Sequence, residues 1–146
     1  MTNKERAGHR YPAYRYEVGR AKIEEYATAT GYPVAAGDAD EPLTAPNMFA
    51  ACFTVMRGAA LLREDVELDG KGPIVHAGQD YDFGRTVKSG DVLVCSPHIT
   101  EIEDRGAHTY LTLSIECVDA ESSEHVVTSR QSIAYLGAAT TEGKAS

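Results

Sequence analysis

The stretch that most constrains this chain is residues 45–62, APNMFAACFTVMRGAALL. It is the only long apolar segment with helical spacing. Met48, Phe49, Cys52, Phe53 and Met56 recur at i, i+1, i+4, i+5 and i+8, and Leu61 and Leu62 extend the stripe. Pro46 stands where a first helical turn tolerates it, since the proton its nitrogen lacks would be unpaired there. Ala50, Ala51, Gly58, Ala59 and Ala60 keep the other faces small. A helix apolar on nearly every side is a buried one. The pattern therefore predicts a central core helix, with Met48, Phe49, Phe53 and Met56 inside.

What surrounds that helix is β-rich. Four strands are predicted after it: Ile74–Phe83, 91–100, His108–Asp119 and 125–136, with polar hairpin links at 101–106 and 120–124. Alternation puts Val75, Ala77, Gln79, Tyr81 and Phe83 on one face of the first. Before the central helix, 14–18 reads as a short extended piece and 20–30 as a helix ended by a left-handed Gly31. Residues 32–44 form a long acidic loop, and loops of that length are often functional. The expected organisation is a loose N-terminal arm (1–13), one domain (14–137) and a disordered tail (138–146). A buried helix followed by an antiparallel meander is an α+β arrangement, its sheet wrapped round the helix. Such a sheet leaves long edges, which predicts a dimer, homo- or heteromeric.

Composition excludes several function classes. With 146 residues, 42% of them hydrophobic and 25% charged, the chain matches one ordinary globular domain. A net charge of −8, with no cluster of Lys and Arg, argues against nucleic acid as a partner. The charged first residues and the lack of a bilayer-length apolar stretch predict a cytoplasmic protein without a membrane partner. Cys52, Cys95 and Cys117 lack metal-ligand spacing and sit in apolar runs, as do buried reduced thiols. His98, His108 and His125 are likewise scattered. No metal and no cofactor are expected.

The segment VHAGQDYDFGRTVKSGD (75–91) resembles a motif of the MaoC-like hot-dog dehydratases. It is most similar to their N-terminal-half, FAS1-like dehydratase subgroup, which includes subunits of mycobacterial (3R)-hydroxyacyl-ACP dehydratases. His76, Gln79, Tyr81, Phe83, Arg85 and the Gly90–Asp91 turn carry the resemblance. YEVGRAKIEEYATATG (16–31) and APNMF (45–49) follow the family's order. The resemblance implies a single hot-dog fold, an antiparallel sheet around a long helix. It also implies reversible water addition across an α,β-unsaturated acyl thioester of CoA or acyl carrier protein. That reaction needs a base at C2, an acid for the leaving hydroxyl and a donor for the thioester oxygen. Active relatives take the first two from an Asp and a His in a loop after the first helix. Here the matching place reads TGYPVAAGDADEP: Tyr32 stands where the Asp would be, no His follows, and the loop is short. The resemblance thus implies a chain without the standard catalytic pair.

Each candidate residue has two readings. His76 either touches the thioester or a partner's site, or is a hydrogen-bonded structural histidine, the commoner role. Gln79 either donates to substrate or satisfies backbone at an interface. Arg85 meets a phosphate of CoA or phosphopantetheine, or pairs with neighbouring carboxylates. Asp38 and Asp40 are replacement acids or, more commonly, turn formers. Tyr32, Asn47, Met48 and Phe49 flank the start of the central helix, where resemblance places the thioester. The function so implied is the non-catalytic, acyl-channel subunit of a hydroxyacyl-thioester dehydratase or enoyl-thioester hydratase, paired with a catalytic MaoC-like partner. The alternatives are a self-sufficient homodimeric dehydratase or thioesterase using His76 with Asp38 or Asp40, and an acyl-thioester-binding protein without chemistry.

Overall fold

The computed structural model describes residues 2–33, 40–70 and 72–137. A short strand, β1 (Tyr14–Glu17), leads into helix α1 (Arg20–Thr30). The long apolar stretch forms a 3-10 turn, Asn47–Ala50, that runs directly into α2 (Ala51–Glu64). Four strands follow: β2 (Ile74–Phe83), β3 (Val92–Arg105), β4 (His108–Asp119) and β5 (His125–Tyr135). All pair antiparallel in one sheet of order β1-β3-β4-β5-β2. Only β3, β4 and β5 form a meander; β2 crosses to the far edge beside β5. The sheet curls round α2. Leu93, Cys95 and Ile99 of β3, Leu111, Leu113 and Ile115 of β4 and Val127 of β5 meet Phe49, Phe53 and Leu62 in one core.

The helix is less buried than its composition predicts. Phe53, Thr54, Gly58 and Leu62 are buried on the sheet side, but Met48 and Met56 are 54% and 70% exposed. One sheet covers one side of a helix, so an all-round apolar helix needs a second covering surface. Gly58 marks the closest approach. A Cβ there would lie 2.8 Å from Leu113 Cδ2 and closer still to Gln131 Oε1.

Three other expectations are corrected. Residues 101–105 are strand, not link: β3 runs to Arg105 and the turn is only Gly106 and Ala107. In β2 a bulge at Ala77 breaks the alternation, since His76 faces Ile133 while Gly78 faces Ser132. The extra residue shifts the face, so Ile74 and His76, rather than Val75 and Ala77, lie on the helix side with Gln79, Tyr81 and Phe83. The N-terminal arm is fastened. Asp65, just past α2, accepts bonds from Arg6 Nε (3.2 Å) and Nη2 (2.8 Å) and from the Tyr11 hydroxyl (2.6 Å). Arg10 also bridges to His98 on β3. The tail 138–146 and part of the 32–44 loop lie outside the described residues. Gly31 takes the expected left-handed conformation (φ 69°). Cys95 and Cys117 are buried opposite each other, Cys52 is half-buried, and all three are free thiols. No helix among the described residues is long and apolar enough to cross a membrane.

Two outcomes follow for stability. Phe53 stacks on Tyr16 (centroids 4.9 Å apart) and packs against Phe49, so Phe53→Ala should cost about 3–5 kcal/mol in urea denaturation. Burial pushes the Asp65 carboxyl up, but hydrogen bonds from Tyr11 and Arg6 and the Arg6 charge outweigh it, and the net shift is downward. A carboxylate lowered in the folded state contributes stability above its unfolded pKa of about 3.9 and loses it as pH falls further. Asp65→Ala should therefore be less stable than wild type at pH 7 by about 1–3 kcal/mol, a gap that narrows on acidification below about pH 4 in pH-dependent melts.

Candidate functional site

The start of the 3-10 turn is held by a short pairing with the segment before β3. Leu43 N–H donates to Ser89 Oγ (2.7 Å), Ser89 N–H to Leu43 C=O (2.8 Å) and Ala45 N–H to Val87 C=O (2.8 Å). On the other side α1 ends, and Tyr32 N–H turns back to Ala27 C=O (2.9 Å). Between them lies a cavity of about 460 Å³. Tyr26, Thr30 and Tyr32 form one wall; Thr44 to Met48 and Thr86 form the other. Phe49 is not among the residues that line it. It is fully buried, with Tyr26 edge-on against it at 5.7 Å.

The chemistry of this cavity is that of neutral donors. Phe49 N–H is committed to Pro46 C=O (2.9 Å), a consequence of the 3-10 geometry that a plain α-helical start would not produce. Asn47 and Met48 N–H groups have no acceptor among the described residues, and they point from the positive end of a helix. The Thr30 hydroxyl back-bonds to Tyr26 C=O (2.8 Å). Burial pushes the Tyr26 phenol up, away from any role as a base near neutrality. No carboxylate, imidazole, ammonium or guanidinium lines the cavity among the described residues. It can bind and polarise a carbonyl, but its described lining holds no group suited to remove a proton.

The other candidates lie elsewhere. His76 and Gln79 share the helix side of β2, where Gln79 Oε1 meets His76 Nε2 (3.1 Å) and Gln79 Nε2 donates to Ser129 Oγ (2.8 Å). Tyr81, next on that face, bonds the Thr54 hydroxyl of α2 (3.2 Å). This polar row runs along the open edge of the sheet rather than into the cavity. Asp40 is exposed and does not line the cavity, and Asp38 lies outside the described residues. Arg85 is engaged by three carboxylates: both oxygens of Asp91 (2.9 and 3.2 Å), Asp119 (3.1 Å) and Glu124 (3.3 Å). The bond to Asp91 raises its pKa further, so its donors are turned to the protein. No group of three or more His, Cys, Asp or Glu among the described residues is placed to hold a metal. Tyr26, Thr30, Thr44 and Thr86 were absent from the sequence-derived candidates. Only the i, i+4 spacing of Tyr26 and Thr30 hints at a shared face.

Residues 5–129 match the FAS1-like dehydratase domain region. The chain belongs to the FAS1-like dehydratase family. Similar relatives include a UPF0336 protein of Clavibacter michiganensis (33% identical, covering 92% of this chain and 96% of the relative). Another is a UPF0336 protein of Streptomyces coelicolor (33%, covering 80% and 83%). Among solved structures, the chain resembles a MaoC-like dehydratase with a TM-score of 0.77 at 25% identity, covering 91% of this chain and 43% of the other. It also resembles the (3R)-hydroxyacyl-ACP dehydratase complex HadBC of Mycobacterium tuberculosis (TM-score 0.71, 22% identity, 88% and 96%). A third likeness is to the ChsH1–ChsH2 complex of the same organism (0.65, 15%, 90% and 86%). The fold of this FAS1-like dehydratase family member is the hot-dog fold: the five-stranded sheet is the wrap and α2 the filling.

In this member the Arg85 cluster joins the turn before β3 to the β4–β5 link. Arg85→Ala should lower stability by about 1–3 kcal/mol in thermal or urea unfolding. The loss should shrink in acid as the facing carboxylates protonate.

Proposed function

We propose that the chain is the non-catalytic, acyl-channel subunit of a (3R)-hydroxyacyl-thioester dehydratase, equally an enoyl-thioester hydratase in reverse, working with a catalytic hot-dog partner. One observation carries this reading: the cavity at the first turn of the central helix keeps backbone donors while its described lining holds no acid or base. In dehydration the C2 proton leaves to a base, negative charge gathers on the thioester oxygen, and the C3–O bond breaks. The hydroxyl then takes a proton and departs as water. An Asp and a His of the partner would move both protons, and no cofactor is needed for a step that transfers no electrons. This subunit's own contribution is binding: Asn47 and Met48 N–H groups, Tyr32 at the mouth, and the apolar side of α2 as channel wall. The substrate is an acyl thioester of CoA or of an acyl carrier protein.

The open β2 edge supports an edge-paired dimer, which would bring the His76–Gln79 row to the seam between subunits. Dehydratase complexes of two chains among the similar folds support the same arrangement. The test is co-expression with a MaoC-like protein carrying the Asp/His pair, assayed by hydration of enoyl thioesters of graded length. Turnover should require the partner's Asp and His. Replacing His76, Asp38 or Asp40 here should change KM or chain-length preference more than kcat, as loss of uniform binding does. A fall of about a thousandfold or more in kcat from any of the three would place the chemistry in this chain instead.

A further inference from the structure

We infer that the open edge of the sheet is charged so as to exclude a second copy of this chain and to accept a partner whose facing strand is basic. This rests on the edge pairing proposed above, though not on the reaction. Among the described residues β2 bonds β5 on one side only, leaving a row of backbone N–H and C=O groups as a template for another strand. Ile74 and Val75 on that strand are about half exposed, so the edge also has apolar surface to cover. Asp80 and Asp82 lie on its outer face, away from α2, and both are exposed. Neither has an ion-pair partner among the described residues. Arg130 stands opposite Asp80 on β5, while Glu116 of β4 lies in the Thr128–Asp82 row, so the outer face stays acidic.

A symmetric dimer would set β2 antiparallel to its own copy, like face on like face. The bulge at Ala77 ends regular pairing on one side, which leaves 78–83 as the run able to form a ladder. A two-fold axis at Asp80 places Asp80 against Asp80. At Tyr81 it places Asp80 against Asp82. At Gln79 it places Asp80 opposite Gly78, with the two Asp80 residues diagonal. Opposed Cβ atoms are about 4.5–5.5 Å apart and diagonal ones about 7–8 Å, and like charges so placed destabilise the pair. All of these fall within the Debye length of about 8 Å at physiological salt. The registers centred on Gln79, Asp80 and Tyr81, in the middle of the regular run, therefore each juxtapose carboxylates. The net charge of −8 adds repulsion at longer range. Lys or Arg on a foreign strand turns each of these contacts into an attraction.

A charge-swap experiment tests this without reference to turnover, so failure of the dehydratase reading and failure of this inference remain separate results. Wild type, the double variant Asp80→Lys, Asp82→Lys, and their equimolar mixture are compared by sedimentation equilibrium at about 0.15 M and about 1 M salt. The mixed dimer should form about tenfold or more tightly than the wild-type homodimer at low salt, with the advantage collapsing at high salt. The neutral Asp80→Asn, Asp82→Asn variant covers the case in which the lysines impair folding. It should self-associate more tightly than wild type at low salt only. A wild-type homodimer as tight as the mixed one, a mixture that stays monomeric, or Asn variants no tighter than wild type would each overturn the inference.

Discussion

Everything in this fold depends on how α2 is seated on the sheet. The seat is partly apolar, through Phe53 between Tyr16 and Phe49, and partly a matter of clearance, because Gly58 admits Leu113 and Gln131 close to the helix axis. It is also polar. The Tyr14 hydroxyl of β1 donates to Phe53 C=O, and Gln131 Nε2 of β5 donates to Val55 C=O at 3.2 Å. Two strands on opposite sides of the sheet thus grip two carbonyls of one helical turn. Dispersion alone would let a smooth helix slide; directional bonds to its backbone set its height and rotation. That setting places the 3-10 turn, and with it the cavity beside Tyr26 and Tyr32.

The described wall of the cavity offers backbone donors although no carboxylate, imidazole, ammonium or guanidinium lines it. Backbone donors at a helix start exist whatever side chains surround them. The mutual pinning of Leu43 and Ser89 aims that start at the end of α1. His76, the imidazole that the family motif draws attention to, is carried away from this point by β2 and turned to the helix side by the Ala77 bulge. Its contact with Gln79 makes it part of an edge, and edges of sheets are where a second chain enters.

The open edge and the unburied side of the central helix both expose apolar side chains. Met48 and Met56 are apolar where the chain's own sheet does not reach, and Ile74 and Val75 are apolar on a strand with one free side. Single exposed apolar residues are ordinary, but these cluster on the two elements a paired hot-dog domain would cover. The acidic pair Asp80 and Asp82 lies on the outer face of that strand, away from Ile74 and α2. Burial and charge therefore address different properties of a partner, its shape and its sign.

The elements themselves were legible in the amino-acid sequence, because they rest on local periodicity. The bounds of α1, β2 and β4, the left-handed Gly31 and the central helical stretch all follow from spacing and turn chemistry. The hot-dog family was legible from ordered motifs. Only the tertiary structure decided which faces these elements present. Alternation in β2 fails at Ala77, where a bulge beside Gly78 is fixed by the pairing with β5. Arg85 stands as a lone cation in sequence, and its three carboxylates, from Asp91 to Glu124, converge only when the strands fold back. The cavity joins Tyr26 to Thr86 across sixty positions of chain. Periodicity records what one segment buries; it carries no information about which distant segment does the burying.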